Sequence, residues 1–282
     1  MKYGIIDVGS NSVRLLLDGK KEVLNTQLAE KMAPGGDLIA PAITRTFEAI
    51  DYFKTVAEKS GAKVSIFATE AVRSAKNKQV FIDELKKIGL DLDILNPEEE
   101  AYVGFAGAYY GKGIKGVLDV GGASSELAVG DEKGIIYSHS MPIGGVRVKD
   151  FSPLPEKQFE LCIERVKEYG KVPDFERLIS IGGTSSSIVA IMKKLEPYDP
   201  DQVHMTVLTK EQLKEVVDYI DSVPACDRVN IIGLHPKKVL VVPAGGKIIL
   251  SVMHYLGLDE ITVSESDNLE GYAKLKGIPV SL

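Results

Sequence analysis

An internal repeat limits the folds that this chain can adopt. Residues 4–17 align without a gap with residues 116–129, at an offset of 112 positions. In both copies an apolar strand ends in an Asp, a tight turn with Gly and Ser follows, and a second apolar strand leaves the turn. One hairpin of this kind is common, but two copies at domain-sized separation indicate that the chain contains a duplicated unit.

Strands and helices alternate around each hairpin, which predicts an α/β fold. In the predicted helix at 44–59, Phe47, Ile50 and Phe53 share one face. The other predicted elements are a helix at 156–169 and strands at 21–26, 64–69, 135–141 and 178–181. We therefore expect two similar lobes, each with a mixed sheet flanked by helices, and a cleft between the lobes.

A Gly- and Lys-rich stretch at residues 111–115 predicts the junction between the lobes. We expect a first lobe at 1–113, which the C-terminal helix at 266–282 can join, and a second lobe at 114–265. A chain of 282 residues is long enough to strain a single hydrophobic core, so two domains agree with its length.

Composition excludes several classes of function. A net charge of −6 argues against general nucleic-acid binding, because such proteins need basic surfaces. The apolar runs are too short to span a bilayer, and the N-terminus lacks the apolar stretch of a signal peptide, so we expect a cytoplasmic protein. The two cysteines, Cys162 and Cys226, do not have the spacing of a metal or redox site.

The two hairpin turns are candidate phosphate-binding elements. Gly permits backbone conformations in which successive N–H groups converge on an anion, and the Ser and Asn side chains add further donors. The candidate residues are Ser10, Asn11 and Ser12 in the first turn and Gly121, Gly122, Ala123 and Ser124 in the second.

Asp7 and Asp119 occupy equivalent positions at the ends of the strands that lead into these turns. A carboxylate beside a bound phosphate is unfavourable unless a cation lies between them. Mg²⁺ is the expected cation, because it binds to one or two carboxylates together with phosphate oxygens. The alternative is that each Asp only caps its own turn.

Three further groups are candidates for the site. Gly182, Gly183 and Thr184 lie between a strand and a helix, where free backbone N–H groups can bind an anion, although such turns often contain Gly without a ligand. Arg73 follows a predicted strand and could grip a phosphate with two hydrogen bonds, or it could lie on a solvated face. Residues 98–100 are three Glu at a helix start, which the helix dipole alone explains, although one could activate a water molecule.

These motifs together resemble the exopolyphosphatase and guanosine pentaphosphate phosphatase family, within the superfamily of actin, sugar kinases and heat-shock chaperones. The resemblance covers nearly the whole chain. Its motifs are residues 4–17, 68–74, 96–101, 117–129 and 181–184, with a weaker stretch at 261–271.

The resemblance implies two actin-like (ribonuclease H-like) lobes and roles for individual residues. It implies that Glu100 is the catalytic base, that Asp119 and Glu126 are metal-associated carboxylates, and that Arg73 binds phosphate. The repeat aligns Glu126 with Arg14, so the two hairpins differ at this position. By analogy with the family, we also expect a homodimer.

Two positions depart from the family pattern. Ala123 stands where relatives usually have a third Gly in the turn, and Leu269 stands where they usually have an Arg before Glu-Gly. If that Arg contacts substrate, substrate preference differs here. Larger members have an additional C-terminal helical domain, whereas this sequence resembles a short form that ends after the second lobe.

The sequence thus predicts a Mg²⁺-dependent phosphohydrolase that releases terminal phosphate from inorganic polyphosphate or from guanosine pentaphosphate, and it does not choose between these substrates. Two other functions stay open. The first is a kinase of the same superfamily that phosphorylates a small molecule. The second is a sensor that binds polyphosphate or guanosine polyphosphate nucleotides without turnover.

Overall fold

A computed structural model describes residues 2–33, 35–152 and 154–279. The chain divides into two compact units. Unit 1 comprises Met1–Gly107 and Asn268–Leu282, and unit 2 comprises Ala108–Asp267. Residues 280–282 of the helix predicted at 266–282 lie outside the described residues.

The sheet of unit 1 has five strands in the order β3-β2-β1-β4-β5. Strands β1 to β3 form an antiparallel meander, β4 pairs in parallel with β1, and β5 pairs in parallel with β4. The strands are β1 (Lys2–Val8), β2 (Ser12–Leu17), β3 (Lys20–Asn25), β4 (Ala62–Ala68) and β5 (Leu92–Ile94).

Both faces of the sheet of unit 1 are covered, so buried apolar residues of its central strand, β1, point to both sides. Ile6 and Val8 of β1 belong to one apolar cluster, which includes Ile50 and Phe53 of the first helix. Ile5 points to the other face and belongs to a second cluster. The first four helices are α1 (Ala40–Lys59), α2 (Glu70–Ser74), α3 (Lys78–Lys87) and α4 (Pro97–Ala108).

The sheet of unit 2 has six strands in the order β10-β11-β9-β6-β7-β8. As in unit 1, three antiparallel strands (β6 to β8) are followed by parallel partners, here β9 and then β11. The strands are β6 (Lys115–Val120), β7 (Ser125–Asp131), β8 (Gly134–Met141), β9 (Arg177–Ile181), β10 (Thr206–Thr209) and β11 (Glu260–Val263). The shared order confirms the predicted duplication and the α/β fold class.

One long helix organises the core of unit 2. Helix α10 (Val241–Leu256) is buried from Val241 to Met253 and packs against four of the other helices. Those helices are α5 (Gly145–Phe151), α6 (Pro155–Arg165), α7 (Gly183–Lys193) and α9 (Lys210–Ser222), and α8 (Pro200–Val203) is a single turn. The helix predicted at 156–169 is therefore correct up to Arg165, after which a 3₁₀ turn covers Val166–Tyr169.

The chain returns to unit 1 with α11 (Asn268–Leu275). Leu269, Tyr272 and Ala273 of this helix are buried against Ile5 and Phe67 of the sheet, in the second cluster of unit 1. Within the described residues, every helix is too short or too polar to cross a membrane.

Candidate active site

The two hairpin turns have the same backbone hydrogen bond. The Gly9 N–H donates to the Ser12 carbonyl over 3.0 Å, and the Gly121 N–H donates to the Ser124 carbonyl over the same distance. The repeat in the sequence is therefore also a repeat in turn geometry.

In the first turn, the carbonyl groups point toward the segment that follows β3. The Asn11 carbonyl accepts hydrogen bonds from the N–H groups of Thr26 and Gln27, and the Ser10 carbonyl accepts from Ala29. In a trans peptide the C=O of one residue and the N–H of the next point in opposite directions. The N–H groups after these carbonyls, those of Asn11 and Ser12, therefore face the other side of the turn, where they can bind an anion.

The second turn has a related arrangement in unit 2, in which the accepting carbonyls lie one position earlier in the repeat. The Gly121 carbonyl accepts from the Gly145 N–H, and the Gly122 carbonyl accepts from Val146 and Arg147. The next N–H groups, those of Gly122 and of the following Ala, consequently face away from α5. Gly144 permits this contact, since a Cβ there would lie 2.5 Å from the Gly122 carbonyl carbon.

The charges beside the two turns differ. In unit 1, Asp7 lies directly opposite Arg14 in the β1–β2 register, and Arg14 Nε donates to Asp7 Oδ2 over 2.9 Å. The Arg14 side chain thus already neutralises Asp7, which is 3% exposed. The equivalent pair in unit 2 is Asp119 and Glu126, so two carboxylates stand where unit 1 has an ion pair.

This pair of carboxylates in unit 2 fits a hard divalent cation. Residues directly opposite in an antiparallel pair project from the same face of the sheet, so Asp119 and Glu126 are neighbours. Ser140 on the next strand donates to Glu126 Oε1 over 2.7 Å and fixes that carboxylate. The described part of the chain has no cluster of three or more His, Cys, Asp or Glu suited to a metal. Two carboxylates with the other positions left to water and phosphate oxygens match the preference of Mg²⁺.

The third glycine-rich element lies directly beside Asp119. Gly182 has φ +88°, and a Cβ there would lie 2.7 Å from Asp119 Oδ1. Gly183 begins α7, so the free N–H groups of that helix lie at the carboxyl end of β9, next to the end of β6 where Asp119 lies. Thr184 packs against Gly245 of α10, which holds the start of α7 in place.

Lys238 is a further candidate site residue, which the sequence alone did not indicate. Its Nζ lies 2.7 Å from the position that a Cβ on Gly183 would occupy, so a cation lies at the start of α7. Burial, together with Lys238 and Lys237, lowers the pKa of nearby His235. The Lys-Lys pair in the sequence resembles an ordinary exposed turn, and no local pattern connects it with a glycine 55 positions earlier.

In unit 1, Arg73 and Glu100 are in direct contact. Arg73 Nη1 donates to Glu100 Oε2 and to the Leu95 carbonyl, both over 2.7 Å, and Nη2 donates to Glu70 Oε2 over 2.8 Å. Glu100 is 5% exposed. Burial lowers the pKa of Arg73, but the neighbouring Glu100 and Glu70 carboxylates raise it more, so the net pKa is above its usual value. Arg73 therefore remains a cation beside the expected base.

Strand topology brings the unit 1 candidates to one edge of its sheet. Because β1, β4 and β5 are parallel neighbours, their carboxyl ends meet there. The first turn follows β1, Arg73 follows β4 and Glu100 follows β5.

Leu269 lies in the core of unit 1. Its side chain is fully buried in the cluster with Ile5 and Phe67. Next to it, Glu270 forms an ion pair of 2.9 Å with Lys21. The position where relatives usually have an Arg is thus occupied here by a packing residue.

Similar proteins are found by comparison of both sequence and structure. The model of the Ppx/GppA phosphatase family matches residues 7–273. A bifunctional 3-dehydroquinate synthase/phosphatase of Fusobacterium nucleatum is 30% identical over 97% of this chain, which spans about half (46%) of that relative. Exopolyphosphatase 2 of Mycobacterium tuberculosis is 26% identical, over 96% of this chain and 97% of its own. The crystal structure of the Aquifex aeolicus Ppx/GppA family member has a TM-score of 0.78 and 27% identity, over 100% of this chain and 99% of its own.

Proposed function

Because this chain belongs to the Ppx/GppA phosphatase family, we propose that it hydrolyses terminal phosphoanhydride bonds of inorganic polyphosphate or of guanosine pentaphosphate. The observation that supports this function most is the contact between Arg73 and the buried Glu100. It places a phosphate-binding cation within one hydrogen bond of a carboxylate that can accept a proton from water. A Mycobacterium relative, whose length is covered to 97% in the comparison with this chain, is named an exopolyphosphatase.

In the proposed reaction, Glu100 orients a water molecule and accepts its proton as the water oxygen attacks the terminal phosphorus. The bond from that phosphorus to the bridging oxygen breaks, and orthophosphate and a chain shortened by one phosphate are released. Positioning and charge stabilisation account for most of the catalysis of phosphoryl transfer. Here the Arg73 guanidinium and the N–H groups of the turns supply both.

The remaining residues have supporting roles in the proposal. The N–H and hydroxyl groups of the two turns and of residues 182–184 hold phosphate oxygens. Lys238 adds a positive charge beside residues 182–184. Asp119 and Glu126 would hold Mg²⁺, which when bound neutralises charge on the phosphates. Because Arg14 already neutralises Asp7, we assign Asp7 to ordering the first turn and place the metal in unit 2.

Phosphate release tests the proposal directly. Wild-type protein and the Glu100→Gln variant are assayed with Mg²⁺ on long-chain polyphosphate, guanosine pentaphosphate and ATP. We expect turnover of one of the first two, and a loss of roughly 10²- to 10⁴-fold in Glu100→Gln, the scale of general-base catalysis. Glu98→Gln is the matched control, because Glu98 is exposed in the same helical turn and should keep wild-type activity.

Three results would contradict the proposal. Near wild-type turnover in Glu100→Gln would exclude Glu100 as the base. Tight binding of polyphosphate or of the nucleotide without turnover would indicate the sensor, and transfer of phosphate from ATP to a small acceptor would indicate the kinase.

A further inference from the structure

Arg73 contacts the carboxylate of Glu70, which has no role in the proposed reaction. Its Nη1 atom contacts Glu100 and the Leu95 carbonyl, and its Nη2 atom donates to Glu70 Oε2 over 2.8 Å. The guanidinium is thus fixed at two ends, at one by the expected base and at the other by Glu70.

Glu70 and Arg73 lie on the same side of a very short element. Glu70 is the first residue of α2, and Arg73 follows it by three positions, a spacing that places both side chains on one helical face. The Arg73 side chain is long and has many rotamers, so the position of its backbone alone does not fix the guanidinium.

The contact is well shielded from water. The side chains of Arg73 and Glu70 are 18% and 17% exposed, and that of Glu100 is 5% exposed. An exposed ion pair contributes little because water screens it, whereas these groups lie mostly out of solvent and their hydrogen bonds are charge-assisted. Glu70 can therefore fix the direction of the guanidinium.

We infer that Glu70 is a positioning residue, which keeps Arg73 in place when the terminal phosphate of the substrate replaces Glu100 as the partner of Nη1. This inference rests on the proposed function. Without Glu70, a guanidinium released by Glu100 would lose its last side-chain anchor and would leave the position in which it meets the phosphate.

Two substitutions separate positioning from charge. Glu70→Gln keeps an oxygen that can accept the hydrogen bond from Nη2, so kcat should stay within about threefold of wild type. It also removes a negative charge near a polyanionic substrate, so KM should not rise. Glu70→Ala removes the acceptor, and kcat/KM should fall roughly 10- to 100-fold, the scale of a lost hydrogen bond to a charged group.

A double-mutant cycle tests whether Glu70 acts through Arg73. We would measure kcat/KM, and calorimetric binding of tripolyphosphate, for wild type, Glu70→Ala, Arg73→Ala and the double variant. If Glu70 acts through Arg73, removing it from the Arg73→Ala background should change both quantities by less than about twofold. Additive losses would overturn the inference, as would a Glu70→Gln variant as impaired as Glu70→Ala.

The control and the binding measurement separate this inference from the proposed function. Glu84 pairs with Lys87 at the same spacing on α3, where the two side chains are 42% and 67% exposed, so Glu84→Ala should behave as wild type.

If the effects of Glu70→Ala and Arg73→Ala on tripolyphosphate binding are coupled but no substrate is turned over, the positioning role of Glu70 is supported and the hydrolase is refuted. Turnover with additive losses would refute only the role of Glu70. A wild-type protein that neither binds tripolyphosphate nor turns over any of the three substrates would refute both.

Discussion

At the scale of single residues, Gly182 couples the third glycine-rich element to the expected metal site. Its φ of +88° lies in the left-handed region, and its missing Cβ leaves the space that Asp119 Oδ1 occupies. Any other residue would strain the backbone and push the Asp119 carboxylate away.

We therefore expect Gly182→Ala to lower the rate of phosphate release as well as the free energy of unfolding. Its conformational cost should be about 1–2 kcal/mol, and displacement of Asp119 should lower activity in addition. Gly89→Ala is the matched control, because Gly89 has φ +77° but open space around it, so only stability should fall. Chemical denaturation and a phosphate-release assay on both variants check this, and wild-type turnover in Gly182→Ala would contradict it.

The sequence predicts Gly182 and Asp119 as candidates but not their contact. Each belongs to a local strand-and-turn pattern, whereas the contact depends on the pairing of β6 with β9 across more than 60 positions. Lys238 and Glu70 were missed for a related reason. A Lys in an exposed turn and a Glu at a helix start are ordinary residues until their partners are known.

At the scale of elements, the two hairpins share a backbone but differ in one charge. Asp7 faces Arg14 in β1–β2, while Asp119 faces Glu126 in β6–β7. The first pair therefore contains a positive charge, whereas both members of the second pair are carboxylates.

Metal affinity should accordingly depend on the second hairpin. We expect Glu126→Gln to weaken Mg²⁺ binding by at least about tenfold, since even the loss of an outer-shell partner of a metal costs that much. Arg14→Gln, its positional counterpart, should not weaken binding. Calorimetric titration of Mg²⁺ into substrate-free protein measures both, and unchanged affinity in Glu126→Gln would place the metal elsewhere.

Helices, strands and turns are also the features that the sequence predicted best. The gapless repeat located both hairpins, because alternation of apolar residues and a turn with Gly are local signals. It did not reveal β10, a four-residue edge strand whose burial is mostly partial, since so short a segment has little periodicity. Pairing with β11 determines that strand.

At the scale of the whole molecule, the last helix completes the unit with which the chain begins. Gly271 of α11 packs directly on the backbone of α4, and a Cβ there would collide with the Val103 carbonyl oxygen. The sequence directed attention to position 269 as a substrate contact, but Leu269 lies in the core of unit 1, where its apolar character is suited to packing.

Gly271→Ala should consequently destabilise unit 1, because two backbones would have to separate. Overpacking of this kind costs about 1–3 kcal/mol, which a lower thermal unfolding midpoint would reveal. At Gly277 a Cβ would meet nothing within 4 Å and only the positive φ of +62° opposes it, so Gly277→Ala should cost less. An unchanged midpoint in Gly271→Ala would show that α11 is not tightly docked.

The return of the chain to unit 1 also determines the order in which the protein can be finished during synthesis. The apolar face formed by Ile5 and Phe67 is not covered by Tyr272 until the ribosome has made all of Ala108–Asp267. At roughly 5–20 residues per second, this interval is on the order of ten to thirty seconds. Unit 1, which contains the N-terminus, can therefore complete its fold only after all of unit 2 has been made.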